Sequence, residues 1–309
     1  MTNPEAKPKL ALIAGPTASG KTALALNLAK SHNIVIINAD SAQVYSDLPV
    51  LSAQPTPDEQ ASAPHRLFGY LDGTTACSAA RWAADAKAEI AAAHESGSLP
   101  VVVGGTGLYL RTLLDGIAPI PEVGANIRAE IRTLPTAEAY ARLQAADAFM
   151  AERLAPTDSS RIARALEVVT STGRSIADWR EEKTGGIGDA VDLHPLVLLP
   201  PREWLYARCD ARFDAMMAGG AVGEVEALLA RGLPADAPVM RAIGVPDIAA
   251  MLAGTLGREE AVRRGKIATR QYAKRQFTWF RNQSPEDWPR WEQEINNSKM
   301  DKIETLLQF

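Results

Sequence analysis

Four runs of apolar residues divide the chain. They lie at Leu10–Ala14, Ile34–Asp40, Leu99–Val103 and Leu193–Leu199. Runs of this length that are rich in Val and Ile, without polar residues at alternate positions, are typical of strands buried on both faces of a parallel sheet. Helical patterns separate the runs, so the sequence predicts an α/β fold around a parallel sheet.

The pattern changes after Pro119, because the stretch to about Lys183 contains helical periods and no strand-like run. Five helices are predicted there: Ala125–Leu134, Ala137–Ala145, Ala148–Leu154, Ser160–Ser171 and Ile176–Glu182. We therefore expect an all-helical subdomain at 118–189, inserted into a core domain made of 1–117 and 190–309.

Outside the insertion, helices are predicted at Ser78–His94, Glu203–Ala218, Ala221–Arg231 and Arg263–Arg281. The stretch Ala42–Tyr70 is broken by four prolines and is expected to be loop with a short helix.

A glycine-rich motif of the form GxxxxGKT stands between the first predicted strand and the helical pattern that follows it. Backbone N–H groups of such a loop surround a phosphate, and the N-terminus of the helix supports its negative charge. The lysine adds a cation and the final threonine a hydroxyl for Mg²⁺. The motif predicts a site for a di- or triphosphate; the alternative is a chance glycine turn. Its residues are Gly15, Pro16, Thr17, Ala18, Ser19, Gly20, Lys21 and Thr22.

Two further strand ends carry candidate chemistry. Asp40 closes the second predicted strand, and Gly104-Gly105-Thr106-Gly107 follows the third. Ligands of open parallel sheets bind at the carboxyl edge, so Asp40 and Thr106 are expected on the same side as the phosphate loop. Alternatively, Asp40 caps the next turn through Ser41, and the glycines serve packing alone.

The composition of the chain limits its possible functions and cellular compartment. The chain has 309 residues, 46% of them hydrophobic, and a formal charge of −4, so a nucleic-acid interface must rest on a local basic patch. Cys77 and Cys209 lack CxxC spacing, which favours a reducing compartment over a zinc site, and we expect both to be interior thiols. The sequence shows neither a signal core nor an apolar run of membrane-spanning length, so a cytoplasmic protein is expected.

A local basic patch occurs in the last predicted helix, Arg263–Arg281. It contains seven Lys or Arg residues, and no acidic residue occurs between Ala261 and Pro285. The cations alternate with Tyr272, Phe277, Trp279 and Phe280, which indicates phosphate contact with base stacking. A solvated helix face whose aromatic residues belong to the core explains the pattern equally well.

Together these motifs resemble those of the tRNA dimethylallyltransferases, also called tRNA isopentenyltransferases. The matching segments are Gly15–Thr22, Asp40–Tyr45, Gly104–Tyr109, Arg161–Val168 and Ala268–Arg281. The first occurs in many nucleotide-binding proteins, whereas the last is specific to the family.

The resemblance implies transfer of a dimethylallyl group from dimethylallyl diphosphate to the exocyclic amine of the adenosine beside the tRNA anticodon, at position 37. It implies that Mg²⁺ assists, with Thr22 as its protein contact, and that Arg212 binds the diphosphate. Asp40 would accept the proton of the amine or orient it, and Thr106 would hold the amine or a prenyl-side oxygen.

The family also implies tRNA contacts, by a chain expected to act as a monomer. They fall on Asp40, Ser41, Ala42, Gln43, Thr106, Arg128, Ser160, Arg161, Ile162, Ala163, Arg164, Arg241, Arg270, Gln271, Lys274, Arg275, Gln276 and Arg281.

The chain departs from the family pattern in places. Gln54 stands where many members have lysine, and Val245-Pro246-Asp247 replaces a tyrosine and a basic residue. Rival functions also remain open: a small-molecule kinase that uses the same loop for ATP, a prenyltransferase acting on a free adenylate, or a nucleotide-gated RNA-binding switch.

Overall fold

A computed structural model describes residues 6–308. The chain forms two compact units. The first contains the residues up to Leu113 and those from Gly188 onward, and the second is Leu114–Ile187. The sequence analysis placed the insertion at 118–189.

The first unit is built on a six-stranded sheet of order β3-β2-β4-β1-β5-β6, in which every neighbouring pair is parallel. This confirms the predicted α/β class. In the centre, Ala11 lies beside Val101 on one neighbour and His194 on the other. The strands are β1 Lys9–Ala14, β2 Ile34–Asn38, β3 His65–Arg66, β4 Leu99–Gly104, β5 Asp192–Leu198 and β6 Arg290–Trp291.

The two edge strands were not predicted. Each contains only two paired residues, so neither leaves an apolar run long enough to recognise. His65–Arg66 corrects the interpretation of Ala42–Tyr70, which holds an edge strand as well as a loop and a short helix.

Fourteen α-helices are found among residues 6–308. They are α1 Lys21–Leu28, α2 Pro57–Ser62, α3 Ala79–Glu95, α4 Gly107–Asp115, α5 Ala125–Thr133, α6 Thr136–Ala146, α7 Ala148–Glu152, α8 Ser159–Thr172, α9 Ile176–Trp179, α10 Arg202–Ala218, α11 Ala221–Ala230, α12 Val245–Leu252, α13 Arg258–Gln283 and α14 Met300–Glu304. The basic helix α13 begins at Arg258 rather than at the predicted Arg263, and α12 and α14 were not predicted.

The second unit contains α5 to α9, and its described residues form no strand, which confirms the predicted helical insertion. Apolar side chains from all five helices form its core, with Leu143, Ile162 and Val168 fully buried. This unit therefore has a hydrophobic core of its own.

Packing beneath the sheet fixes the end of β2. Trp82 of α3 is fully buried, stacks on Tyr109 with 4.6 Å between ring centroids, and donates its indole N–H to the Asn38 carbonyl at 2.8 Å. The Asn38 side chain in turn donates to the Leu67 carbonyl at 3.0 Å. The backbone just before Asp40 is thus held from two sides.

Among residues 6–308, no helix has both the length and the apolar character needed to cross a bilayer.

Candidate active site

The phosphate loop, Gly15–Thr22, leaves β1 and enters α1 in a conformation that only glycine permits at both ends. Gly15 has φ +150°, and a Cβ there would lie 2.5 Å from the Leu198 carbonyl oxygen. Gly20 has φ +97° and caps α1 in the left-handed region. The loop therefore curls back over the N-terminus of α1, where free N–H groups favour an anion.

Lys21 lies at the start of α1. Its Nζ donates to the Pro16 carbonyl at 2.8 Å, across the loop. Burial lowers the Lys21 pKa to about 8, the Asp40 carboxylate opposes this shift, and the Arg212 guanidinium adds to it. The ammonium is short of solvent, so a bound diphosphate would stabilise it.

Two arginines of α10 reach the same loop. Arg212 donates to the Thr17 hydroxyl, and its burial lowers its pKa. Arg208 Nε donates to the Ala18 carbonyl at 3.0 Å, while its guanidinium lies over the Trp204 ring. The structure therefore places Arg212, identified by family resemblance, directly beside the loop.

Helix α13 reaches the loop through Gln276, whose side chain is 5% exposed. Its amide oxygen accepts the Thr17 N–H at 2.7 Å, and its amide nitrogen donates to the Gly105 carbonyl at 2.9 Å. A Cβ on Gly105 would lie 2.2 Å from that nitrogen, so the glycine permits the contact. Gln276 thus joins the phosphate loop to the glycine turn after β4. This places its side chain inside the protein rather than on the surface for which tRNA contact was predicted.

Asp40 and Thr106 lie at neighbouring strand ends, as expected. The Thr106 hydroxyl accepts the Ser41 N–H at 2.9 Å and donates to the Ser41 hydroxyl at 3.2 Å. Asp40 Oδ1 accepts the Ala42 N–H at 3.0 Å, so the carboxylate does cap the turn that follows it. Capping fixes the orientation of the carboxylate and leaves its second oxygen free for chemistry.

A cavity of about 420 Å³ opens beside this turn. Its lining combines polar side chains, Thr17, Asp40 and Arg212, with an apolar wall of Leu48, Leu51, Phe213, Met216 and Ile243. The remaining lining residues are Ser41, Ala42, Tyr45, Ser52, Cys77, Tyr109, Cys209, Pro238, Arg241, Ala242, Thr269, Tyr272 and Arg275.

The sequence analysis missed Tyr272 as a site residue. It lines the cavity, burial raises its pKa, and hydrogen bonding with Thr106 and Ser41 opposes that shift. Its spacing from Gln276 is a usable signal, since residues four apart on a helix share a face.

The two cysteines need a correction as well. Cys77 is half-buried and only Cys209 is fully buried, yet both thiols are free and line this one cavity.

The residues predicted to contact tRNA are distributed unevenly in the first unit. Ser41, Ala42, Arg241 and Arg275 line the cavity. The Gln43 side chain instead donates to the Ser52 and Ala53 carbonyls, at 3.0 and 2.6 Å. Gln43 therefore stabilises its own loop.

On α13, carboxylates neutralise several cations that the sequence showed without acidic neighbours. Asp210 and Asp214 of α10 pair with Arg270 and Lys266, at 2.5 and 2.7 Å. Glu260 pairs with both Arg263 and Arg264. Lys274, Arg275 and Arg281 are exposed and form no ion pair with the described residues. The positive surface of α13 is therefore concentrated in its C-terminal half.

In the second unit, α8 carries most of the predicted tRNA contacts. Arg161 is exposed, with its Nε 3.5 Å from Asp158, and Arg164 lies 3.5 Å from Glu167. The Ile162 side chain is fully buried in the core and cannot contact a ligand. Ser160 is exposed and Ala163 half-buried on the same helix, and Arg128 lies on α5.

The two departures from the family pattern have local explanations. The Gln54 amide donates to the Tyr45 carbonyl at 2.7 Å, so this residue closes the loop beside the cavity. Val245-Pro246-Asp247 begins α12, where a proline in the first turn and an early acidic residue favour helix initiation.

The oxygen donors near the loop suit a divalent cation held mainly by its substrate. The described residues contain no cluster of three or more His, Cys, Asp or Glu side chains that could enclose a metal. Mg²⁺ prefers hard oxygen ligands and commonly combines one or two protein oxygens with substrate phosphates. Thr22, half-buried in the first turn of α1, supplies an oxygen of this kind.

Comparison with known proteins identifies the family of the chain. A family model described as IPP transferase matches residues 43–283. The tRNA dimethylallyltransferase of Sphingopyxis alaskensis is 60% identical over 298 residues, covering 96% of each chain. That of Erythrobacter litoralis is 60% identical over 289 residues, covering 92% of this chain and 91% of its own.

Solved structures give the same result. The tRNA isopentenylpyrophosphate transferase from Bacillus halodurans has a TM-score of 0.70 at 30% identity and covers 98% of this chain and 97% of its own. A eukaryotic dimethylallyltransferase acting on tRNA has a TM-score of 0.76 at 29% identity, covering 88% and 70% of the two chains. The chain therefore belongs to the IPP transferase family, that of the tRNA dimethylallyltransferases.

Proposed function

We propose that this protein transfers a dimethylallyl group from dimethylallyl diphosphate to the exocyclic amine of the adenosine beside the anticodon, at position 37 of tRNA, and releases diphosphate. One observation carries the proposal. Thr17 of the phosphate loop, the Arg212 guanidinium, the Asp40 carboxylate and the apolar wall line a single cavity. These are the three environments that a diphosphate, an attacking amine and a prenyl chain require.

The phosphate loop holds the leaving group. Negative charge grows on the diphosphate as its bond to the prenyl carbon breaks. Lys21, Arg212 and the N–H groups at the start of α1 stabilise this charge in surroundings from which water is largely excluded. The low Lys21 pKa supports this role, because a partly desolvated ammonium is available to a new anionic partner.

The apolar wall receives the prenyl group. Leu48, Leu51, Phe213, Met216 and Ile243 form a surface against which a five-carbon chain can be buried. Burial there keeps water away from the carbon under attack.

Asp40 receives the proton that the amine loses. Its Oδ1 is fixed by the Ala42 N–H, so the other oxygen is the acceptor. Thr106 acts by positioning, since its hydroxyl holds Ser41 next to Asp40. Tyr272 completes this polar edge of the cavity.

Thr22 would hold Mg²⁺ together with the diphosphate. The ion would neutralise charge on the departing group. The Lys21 and Arg212 side chains also stabilise the negative charge of the departing diphosphate.

The exposed cations of α8 and α13, notably Arg161, Lys274, Arg275 and Arg281, bind tRNA phosphates in this proposal. The target base must leave the anticodon stack to reach Asp40. The second unit, Leu114–Ile187, serves as the tRNA-binding domain. We propose a monomeric, cytoplasmic enzyme, and the two free thiols are in keeping with a reducing compartment.

A kinase is the main alternative, because a phosphate loop also suits ATP. The apolar wall next to the loop favours a prenyl donor instead. To distinguish them, unmodified tRNA and Mg²⁺ are incubated with labelled dimethylallyl diphosphate, and in parallel with γ-labelled ATP. Label entering tRNA only from the prenyl donor supports the proposal. No label from that donor rejects it.

A further inference from the structure

One segment of the cavity wall has no regular secondary structure. Tyr45 pairs with Leu71 in a single β-bridge and most of residues 46–52 form turns, and this segment contributes Tyr45, Leu48, Leu51 and Ser52 to the lining. Apart from this bridge and the bonds of Gln43 and Gln54 within the loop, side chains of other elements hold the wall segment in position.

Glu224, in the first turn of α11, provides the most direct of these bonds. Its Oε1 accepts the Val50 N–H at 2.6 Å, and its Oε2 accepts the Leu51 N–H at 2.9 Å. Both oxygens of one carboxylate thus bind consecutive backbone N–H groups. Hydrogen bonds to an ionised acceptor are among the stronger ones in proteins, and two from one group fix orientation as well as distance.

Arg231, directly after α11, provides a second anchor. It donates to Asp47 in the wall segment and binds both oxygens of Asp72, at 2.9 and 2.8 Å. Asp47 Oδ2 also accepts the Gly73 N–H at 2.8 Å. Helix α11 therefore holds the segment near both of its own ends.

We propose that Glu224 is a positioning residue that sets which prenyl donor the cavity accepts, with Arg231 as its auxiliary. Leu51 donates its backbone N–H to Glu224 while its side chain forms part of the apolar wall, so the carboxylate determines how far that wall extends into the cavity. This inference rests on the proposed function, because it assumes that the wall contacts the prenyl chain.

Donor binding without tRNA tests the inference separately from transfer. Wild type and Glu224→Gln are titrated by calorimetry with dimethylallyl diphosphate and with the ten-carbon geranyl diphosphate. Glutamine keeps the size of the side chain but presents an N–H₂ group to one of the two backbone donors. The loss of one charge-assisted bond is expected to weaken dimethylallyl diphosphate binding about tenfold. Geranyl diphosphate binding should weaken less or improve, so that the preference for the short chain falls.

Steady-state kinetics give an independent readout. With Glu224→Gln, KM for the donor should rise while kcat and KM for tRNA stay within about twofold, because wall position affects ground state and transition state alike. Glu226→Gln, an exposed carboxylate on the same helix, is the matched control and should behave as wild type. Arg231→Met should also lower the preference for dimethylallyl over geranyl diphosphate. This variant replaces Glu224→Gln in the test if Glu224→Gln does not fold.

An unchanged preference between the two donors in a folded Glu224→Gln or Arg231→Met protein overturns the inference while leaving the proposed function intact. If wild-type protein transfers no dimethylallyl group to tRNA, the proposed function itself fails.

Discussion

The Gln276 side chain accepts a hydrogen bond from the Thr17 N–H at 2.7 Å, although 259 positions separate the two residues. Through this bond the basic helix α13 holds the phosphate loop. The same amide donates to the Gly105 carbonyl, so one side chain connects the helix, the loop and the turn after β4. The helix proposed to bind tRNA and the loop proposed to bind diphosphate are thus joined by hydrogen bonds within the first unit.

Replacing Gln276 with leucine should therefore disturb both stability and donor binding. The change leaves a buried N–H and a buried carbonyl without partners, at a cost of about 2 kcal/mol in the free energy of unfolding. Denaturant melts measure this cost, and donor KM should rise because the loop loses an anchor. Gln144→Leu, at an exposed site on α6, is the control and should change stability by less than about 0.5 kcal/mol. Equal stability of the two variants would contradict the role given to Gln276.

Diphosphate binding should depend on pH through Lys21. Burial lowers the Lys21 pKa to about 8, so the free protein carries this charge below pH 8 and loses it above. A bound diphosphate favours the ammonium and raises its pKa, so affinity should fall as pH rises through 8, with uptake of a proton on binding.

The free energy of unfolding should depend on pH in the opposite sense and rise as the pH rises. The unfolded chain, with a Lys pKa of 10.5, binds the proton more tightly than the folded protein. The burial cost is therefore fully present below pH 8 and diminishes between about 8 and 10.5. Calorimetry in buffers of different ionisation enthalpy checks the proton uptake. Lys21→Arg keeps its charge in this range and should remove the step near pH 8; a step that persists would assign it to another group.

The C-terminal half of α13 should provide most of this helix's electrostatic attraction for tRNA. Lys274→Ala or Arg275→Ala is expected to weaken tRNA binding and to reduce the slope of log affinity against log salt by about one. Arg263→Ala is the matched control, since Arg263 is exposed on the same helix but paired with Glu260 at 2.7 Å. If all three variants keep the wild-type slope, this face of α13 lies outside the interface.

Much of the fold could be predicted because its signals are local. The four central strands are continuous apolar runs, and the phosphate loop has a fixed spacing of glycine, lysine and threonine. The edge strands β3 and β6 could not be found, because two-residue strands depend on pairing with distant neighbours.

In the site, too, local signals could be predicted from the sequence and contacts between distant residues could not. Asp40 and Thr106 were located by the rule that strand ends share an edge. The bonds of Gln276 to Thr17, of Asp210 to Arg270 and of Glu224 to the wall segment join positions far apart in the chain. The periodicity of a sequence does not predict such contacts. The sequence of the basic helix therefore gave no sign that carboxylates of α10 pair with two of its cations.

In the proposed reaction, Asp40 takes the proton of the tRNA amine at this cavity. The most direct test is single-turnover transfer from labelled dimethylallyl diphosphate to tRNA by Asp40→Asn, with tRNA affinity measured on the same protein. Asparagine keeps the shape and can still accept the Ala42 N–H, but it cannot accept a proton at neutral pH. We predict a loss of rate of about 10² to 10⁴-fold with tRNA affinity within a few-fold of wild type, and no loss for the exposed Asp236→Asn. Transfer by Asp40→Asn at the wild-type rate would contradict the role of Asp40 as proton acceptor.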